Sequence, residues 1–423
     1  MSDEYIKLTE LPEDKLRDIQ LSCPGEDEHT YKMPMESEMF YTDKSSPYYG
    51  KSRYAYLTLV MLGDLYISAA LVLAYSIRLS NTKADIVVLV TNDVTQAGRD
   101  ALKLVYDRVI EIDYIKVLSD RVRKDPKRQY LNYVFTKFNL FKLVEYEKII
   151  LLDADAIVLK YYDHLFTMPT PAGVILNDKD DFIKYDKSGN YVIRKDLKID
   201  WYEKYCAECG HGKSIPRRMT DIVLKDKRKS GIGGGLMLLK PDIKEFDSIM
   251  SDLRNSQTQR LIGSFSWPEQ QYMCARYSGK WTSINPRFFG LQGYPHWSVL
   301  YGLQYGGDKP FIRNTKMPEA ERLKYSDYIL WHAYYYVILQ RYPVLRNLNF
   351  LQEVNKFNEL FMRQKQPALN LKQLHIIKTD RSYKEIKRKK HISLKYNIPY
   401  NKIDRDDIRK YMKKSEKSKV EKQ

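Results

Sequence analysis

Residues 149–159 read Ile-Ile-Leu-Leu-Asp-Ala-Asp-Ala-Ile-Val-Leu: four apolar residues run straight into Asp153 and Asp155, and apolar residues then resume. A continuous apolar run of this length is the pattern of a strand buried on both faces, as in a parallel sheet. Two carboxylates at the end of such a strand repel each other once desolvated. Each must have its pKa raised or share a cation. Asp153 and Asp155 are therefore read as ligands of a divalent metal. Oxygen donors favour a hard ion such as Mn²⁺ or Mg²⁺, which commonly bridges to a diphosphate. The plain alternative is a strand-ending turn with surface aspartates, and the apolar residues on both sides count against it.

The segments before this run alternate. Tyr54–Val60 is strand-like, Asp64–Leu79 has helical spacing, and Asp85–Thr91 is a β-branched strand. Thr95–Tyr106 reads as a helix capped by Thr95, Val109–Ile112 as a strand, and Thr136–Tyr146 as a helix leading into Ile149–Leu152. Alternation of this kind predicts an α/β fold with a mostly parallel central sheet flanked by helices. Ligands of such sheets bind beyond the carboxyl ends of the strands, where Asp153 and Asp155 lie. Further on come a polar, basic stretch at 177–230, a glycine run at Gly231–Pro241 and a helix at Asp242–Leu253. Trp267-Pro268-Glu269-Gln270 marks a buried helix start. Asn285–Phe311 is rich in aromatic, Gly and Pro residues, and Tyr325–Leu345 reads as an aromatic helix or a strand pair.

The expected organisation is a polar N-terminal extension (1–50), a main domain (51–345) and a basic C-terminal tail (346–423). Residues 366–423 hold 18 Lys/Arg against 7 Asp/Glu, a net +11 of the chain's +17. Such a tail suits nucleic acid, an anionic membrane surface or an acidic partner, or simply a solvated surface. No apolar stretch of transmembrane length occurs, and Met1–Lys7 lacks the features of a signal peptide. Four cysteines are too few for a disulfide framework, so a reducing, cytoplasmic setting is expected. Cys206, Cys209 and His211 offer three zinc ligands where a structural site takes four. The 35 tyrosines are read as core-edge residues.

The acidic string also resembles the first motif of haloacid-dehalogenase phosphatases. Ala156 occupies that motif's Thr or Val position, and the strand stands behind a whole βαβαβα unit. A second resemblance covers about residues 54–311. Ala55-Tyr56-Leu57-Thr58-Leu59, with Tyr66 and Ala70–Leu73 following, is similar to the opening strand and helix of the glycogenin-like glycosyltransferases of family 8. Phe135-Thr136-Lys137-Phe138 resembles their Thr-Lys-Leu motif, and Asp153-Ala154-Asp155 their metal-binding DxD. Ile232-Gly233-Gly234-Gly235-Leu236-Met237 replaces Phe-Asn-Ser-Gly-Val-Phe, Glu269-Gln270 replaces Asp-Gln, and Gly306-Gly307-Asp308-Lys309-Pro310-Phe311 replaces Gly-x-x-Lys-Pro-Trp.

The resemblance implies a GT-A fold and a nucleotide-sugar site. Leu59 and Tyr66 would lie at the uracil, Lys137, Glu269 and Gln270 at the donor sugar, and Gly306 and Lys309 at the diphosphate. Gly234 and Gly235 would let the backbone approach sugar or phosphate, or mark a bulge. Val60–Gly63 departs from the family's Thr-Thr-Asn. Its third metal ligand, a His, would fall at Leu303 or Gly302, neither a ligand; His296 and His332 are the nearest imidazoles. The implied function is a metal-dependent retaining hexosyltransferase moving glucose or galactose from a UDP-sugar to an unidentified acceptor, with a tyrosine of the chain itself among the candidates. Retention would proceed by front-face attack, or by double displacement with Glu269 or Gln270 as nucleophile. The alternatives are a non-catalytic binding protein on the same fold and a sugar-nucleotide pyrophosphorylase, although Leu59–Tyr66 holds only Gly63 where the latter needs a Gly-rich loop.

Overall fold

The computed structural model describes residues 4–12, 15, 33–176, 183–195, 210–293, 295–313 and 316–365, with single positions 389, 392, 396, 398, 402, 403 and 411 beyond them. In chain order the principal elements are β1 (Tyr5–Lys7), β2 (Tyr54–Val60), α1 (Ile67–Leu79), β3 (Asp85–Val90), α2 (Gln96–Lys103), β4 (Arg108–Glu111), β5 (Lys148–Leu152), β6 (Ala156–Val158) and β7 (Ala172–Leu176). There follow β8 (Ile183–Tyr185), β9 (Tyr191–Arg194), β10 (Gly231–Leu239), α3 (Ile243–Arg254), α4 (Ser256–Gly263), α5 (Pro268–Arg276), β11 (Thr282–Ser283), β12 (Gly290–Leu291), β13 (Gly302–Gln304), α6 (Ser326–Arg341) and α7 (Gln352–Lys365).

The central sheet has seven strands in the order β11-β7-β10-β5-β2-β3-β4. β2 pairs parallel with β3 and β5, and β3 with β4. β10 runs antiparallel to both β5 and β7. The chain thus leaves β2 outward to β3 and β4, then returns to β5 on the other side. That reversal of winding opens a crevice at the carboxyl ends of β2 and β5. Two three-stranded sheets flank it, β12-β13-β6 and β1-β9-β8.

The sheet is covered on both faces, and the alternation of its strands shows it. Tyr56, Ile150, Leu152, Leu236 and Leu238 join one apolar cluster with α1, α6 and α7. Ala55, Leu57, Ile149, Leu151, Met237 and Leu239 join another with α5 and the segment 134–142. This two-sided burial is why residues 149–152 read as an unbroken apolar run. α1 is buried almost all round because it lies between the sheet and α6.

Thr95 caps α2 as expected, its side chain accepting from Gly98 N. Tyr325–Leu345 resolves into the helix α6. The helix predicted over Thr136–Tyr146 is instead a 3₁₀ run, Val134–Lys142. Phe135, Phe138 and Phe141 recur every three residues and all face the second cluster. A period of three matches a 3₁₀ turn better than 3.6 residues. Of the polar stretch 1–50, β1 pairs with β9 and Phe40 bridges to Ser52. The packed body runs past residue 345, since α7 lies against α6 and buries Phe357 and Phe361. Most of the basic tail, residues 16–32 of the polar N-terminal stretch, Cys206 and Cys209 lie outside the described residues. Among the described residues no helix is long and apolar enough to cross a membrane.

Candidate active site

Asp153 and Asp155 leave β5 in a tight turn, with Ala156 N donating to Asp153 O at 3.1 Å. Two backbone bonds pin this turn from either side. Asp153 N donates to Gly235 O on β10 at 3.1 Å, and Tyr305 N donates to Asp155 O at 3.0 Å. The turn forms the floor of a cleft of about 1380 Å³.

Two lysines reach the carboxylates, one to each. Lys137, on the 3₁₀ run, lies 3.0 Å from Asp153 Oδ1 and 3.2 Å from Glu269 Oε1. Burial alone would lower the Lys137 ammonium; Asp153 and Glu269 outweigh it and hold the group well above its ordinary value. Lys309 Nζ donates to Asp155 Oδ2 and to Tyr305 O. Its ammonium is likewise disfavoured by burial and raised overall, mainly by Asp155. A third of the Asp153 side chain is exposed, but only into the cleft. That enclosure raises its carboxyl above the usual range, with Asp155 and Glu269 adding to the rise and Lys137 opposing it. Three carboxylates face two ammonium groups, so the floor carries one excess negative charge and suits a cation or the diphosphate complex of one.

Glu269 stands in the first turn of α5, behind Pro268. Gln270 is used at both ends of its carboxamide: Oε1 accepts from Gly234 N at 2.8 Å, and Nε2 donates to Ser230 O at 2.9 Å. It braces α5 against β10. Gly233–Gly235 lies where the β10–β7 register shifts, between Ile232 and Met237. Gly235 is needed for space: a Cβ there would meet Gln304 Oε1 at 2.6 Å, and at Gly234 one would meet Gln270 at 3.1 Å.

On the other wall, the Tyr66 ring meets Phe311 edge to face at 5.1 Å. Burial pushes its phenol up to about 12. Leu59, Ala154 and Gly306 also line the cleft. The structure therefore brings every residue named above for nucleotide, sugar or metal to one cavity.

The histidine positions turn out differently. Leu303 is buried in the core, and a Cβ at Gly302 would run into the Tyr162 hydroxyl. His296 caps a short turn through Ser298 N at 3.2 Å. His332 is fully buried, 3.1 Å from Pro310 O and stacked on Phe361. His211 accepts from Asn285 N and stacks on Phe288. Among the described residues no group of three or more His, Cys, Asp or Glu could hold a metal ion. The residue that faces the acidic pair is one sequence reasoning missed. Gln304 Nε2 donates to Asp153 Oδ2 at 3.0 Å and to Asp155 Oδ1 at 3.2 Å. Its signal in the sequence was only strand alternation after Leu303. The candidate metal ligands are therefore Asp153 and Asp155, with oxygen chemistry that fits Mn²⁺ or Mg²⁺.

Residues 58–288 match the family model for glycosyl transferase family 8. The uncharacterized protein R707 of Acanthamoeba polyphaga mimivirus is 37% identical over 295 residues, covering 67% of this chain and 92% of R707. The glycogenin of Neurospora crassa is 36% identical over 123 residues, 28% of this chain and 17% of that protein. UDP-glucuronate:xylan alpha-glucuronosyltransferase 1 of Arabidopsis thaliana is 34% identical over 117 residues, again 28% and 17%. The chain thus spans less than a fifth of the length of these last two relatives. A solved structure of the galactosyltransferase LgtC with donor and acceptor sugar analogs is 13% identical, with a TM-score of 0.38 over 63% of this chain and 93% of that one. The family model matches more than half the chain, and R707 is covered almost end to end: the protein belongs to glycosyl transferase family 8 and is a glycosyltransferase with the mostly parallel α/β architecture of the GT-A type.

Proposed function

We propose that this glycosyltransferase is a metal-dependent, retaining enzyme that moves a hexose, glucose or galactose, from a UDP-sugar to an acceptor hydroxyl. The observation that carries the reading is the floor of the cleft: two carboxylates at the sheet's switch point, framed by two protonated lysines. When bound by Asp153 and Asp155, a divalent cation would supply positive charge against the departing diphosphate. Lys309, beside Tyr66 at one end of the cleft, is placed to exchange Asp155 for a phosphate oxygen. Lys137 and Glu269, paired beside Asp153, would hold hydroxyls of the sugar.

As the bond from the anomeric carbon to the β-phosphate oxygen breaks, negative charge gathers on UDP. Fixed ammonium groups aimed at the diphosphate would stabilise that charge more than they stabilise the ground state. The Gln270 carboxamide is committed at both ends, and Glu269 is paired with Lys137. This supports departure and attack on one face of the sugar, with no protein nucleophile. The names of the relatives add UDP-glucuronate to the donors worth testing.

The test is UDP release from UDP-glucose, UDP-galactose and UDP-glucuronate with Mn²⁺. Asp155→Ala is expected to lose turnover by on the order of 10²–10³. Equal turnover in the two proteins removes the metal-transferase reading. Intact-mass measurement after incubation with the active donor shows whether the chain is its own acceptor.

A further inference from the structure

We propose that the side-chain carboxamide of Gln304 is the third protein ligand of the cation, where an imidazole was expected; the proposal rests on the metal-dependent reading above. Strand alternation decides which residue of β13 can serve. Leu303 and Gln304 point to opposite faces, and Leu303 is buried in the core. The β13–β6 ladder sets Gln304 opposite Ala156, the residue just after the acidic pair. Gln304 is thereby held beside both carboxylates and bonded to one oxygen of each.

The amide suits two states. In the structure its NH₂ group faces the carboxylates, the arrangement that unscreened anions require. The terminal torsion of Gln is broad and roughly two-fold, so a half-turn exchanges Nε2 for Oε1 at small cost. The oxygen then faces a cation shared with the aspartates, and amide carbonyls are ordinary ligands of hard divalent ions. The surroundings are built around this group. Gly235 leaves room for it, since a Cβ there would lie 2.6 Å from Oε1 and 2.8 Å from Nε2. The resulting donor set is all oxygen, which favours Mn²⁺ and Mg²⁺ over the nitrogen-preferring Zn²⁺ and Co²⁺.

The experiment uses the full chain with UDP and Mn²⁺. Free Mn²⁺ is titrated by electron paramagnetic resonance, and the bound ion is examined by pulsed methods that detect a coordinated imidazole nitrogen. The wild type is expected to bind Mn²⁺ with no imidazole coupling. Gln304→Ala is expected to weaken binding by at least about tenfold. Gln304→His is expected to restore binding, to show imidazole coupling, and to let Zn²⁺ compete better than it does in the wild type. Wild-type affinity in Gln304→Ala, together with lost binding in Asp155→Ala, overturns the Gln304 assignment and leaves the metal reading intact. An imidazole coupling in the wild type overturns it as well, and that measurement needs no variant to fold. Failure of the wild type to bind Mn²⁺ with UDP present removes the metal reading and this proposal together.

Discussion

Lys309 and Asp155 are both enclosed, and each is the other's principal neutralising partner. Removing one strands the other. Lys309→Ala is expected to cost about 3–5 kcal/mol of stability, read from denaturant unfolding, as well as turnover. Lys309→Arg keeps the charge and should recover most of the stability. The glycines give a second prediction at this scale. Gly235→Ala drives a Cβ into Gln304 and Phe289, whereas Gly234→Ala makes only a tighter contact with Gln270. Turnover and Mn²⁺ affinity should fall much further in the first variant than in the second. The acidic pair was legible in the sequence because charge inside an apolar run has few explanations, whereas Lys137 and Lys309 were read from the resemblance of Phe135–Phe138 and Gly306–Phe311 to family motifs. Gln304 was not, because motif spacing pointed to Leu303, and a three-residue strand is too short to declare which side faces the site.

Elements were legible where burial was simple. The inner strands of the central sheet, β2, β3, β5 and β10, and α1 are almost wholly buried, so their apolar runs translate directly into position. The 3₁₀ run carrying Lys137 was misread because its phenylalanines satisfy either helical period over so short a stretch. At α6, Asp327 accepts from Gly293 N at 2.7 Å in the first turn and holds the loop before β13. Burial raises its carboxyl from 3.8 to about 6, against hydrogen bonds from Gly293, Tyr325 and Ser326. A folded pKa above the unfolded one contributes stability that is full below 3.8 and is lost as pH rises through about 6. The loss amounts to about 3 kcal/mol at neutral pH. The thermal midpoint of the wild type relative to Asp327→Asn should therefore fall as pH rises from 4 to about 7. At α2, Thr95→Ala removes the cap on Gly98 N and is expected to cost about 1 kcal/mol, with turnover unchanged.

Across the whole molecule, α7 completes the packing on α6: Asn358 bonds to His332 O at 2.7 Å, and Phe361 stacks on the same imidazole. A chain ending at Lys365 is accordingly expected to keep the thermal midpoint within a few degrees and to keep UDP release. Loss of either would show that the basic tail belongs to the fold. The position of β10 has a consequence for how the sheet is made. Among the described residues β7 pairs only with β10 and β11, and β10 is the strand between it and β5. A growing chain that has reached residue 176 has made β2, β3, β4, β5 and β7, yet β7 has nothing to pair with until residues 231–239 emerge. Contacts this far apart in sequence form late. The strand that fills this gap is also the one whose glycines border the acidic turn, so one segment both joins β7 to β5 and supplies the β10 side of the cleft.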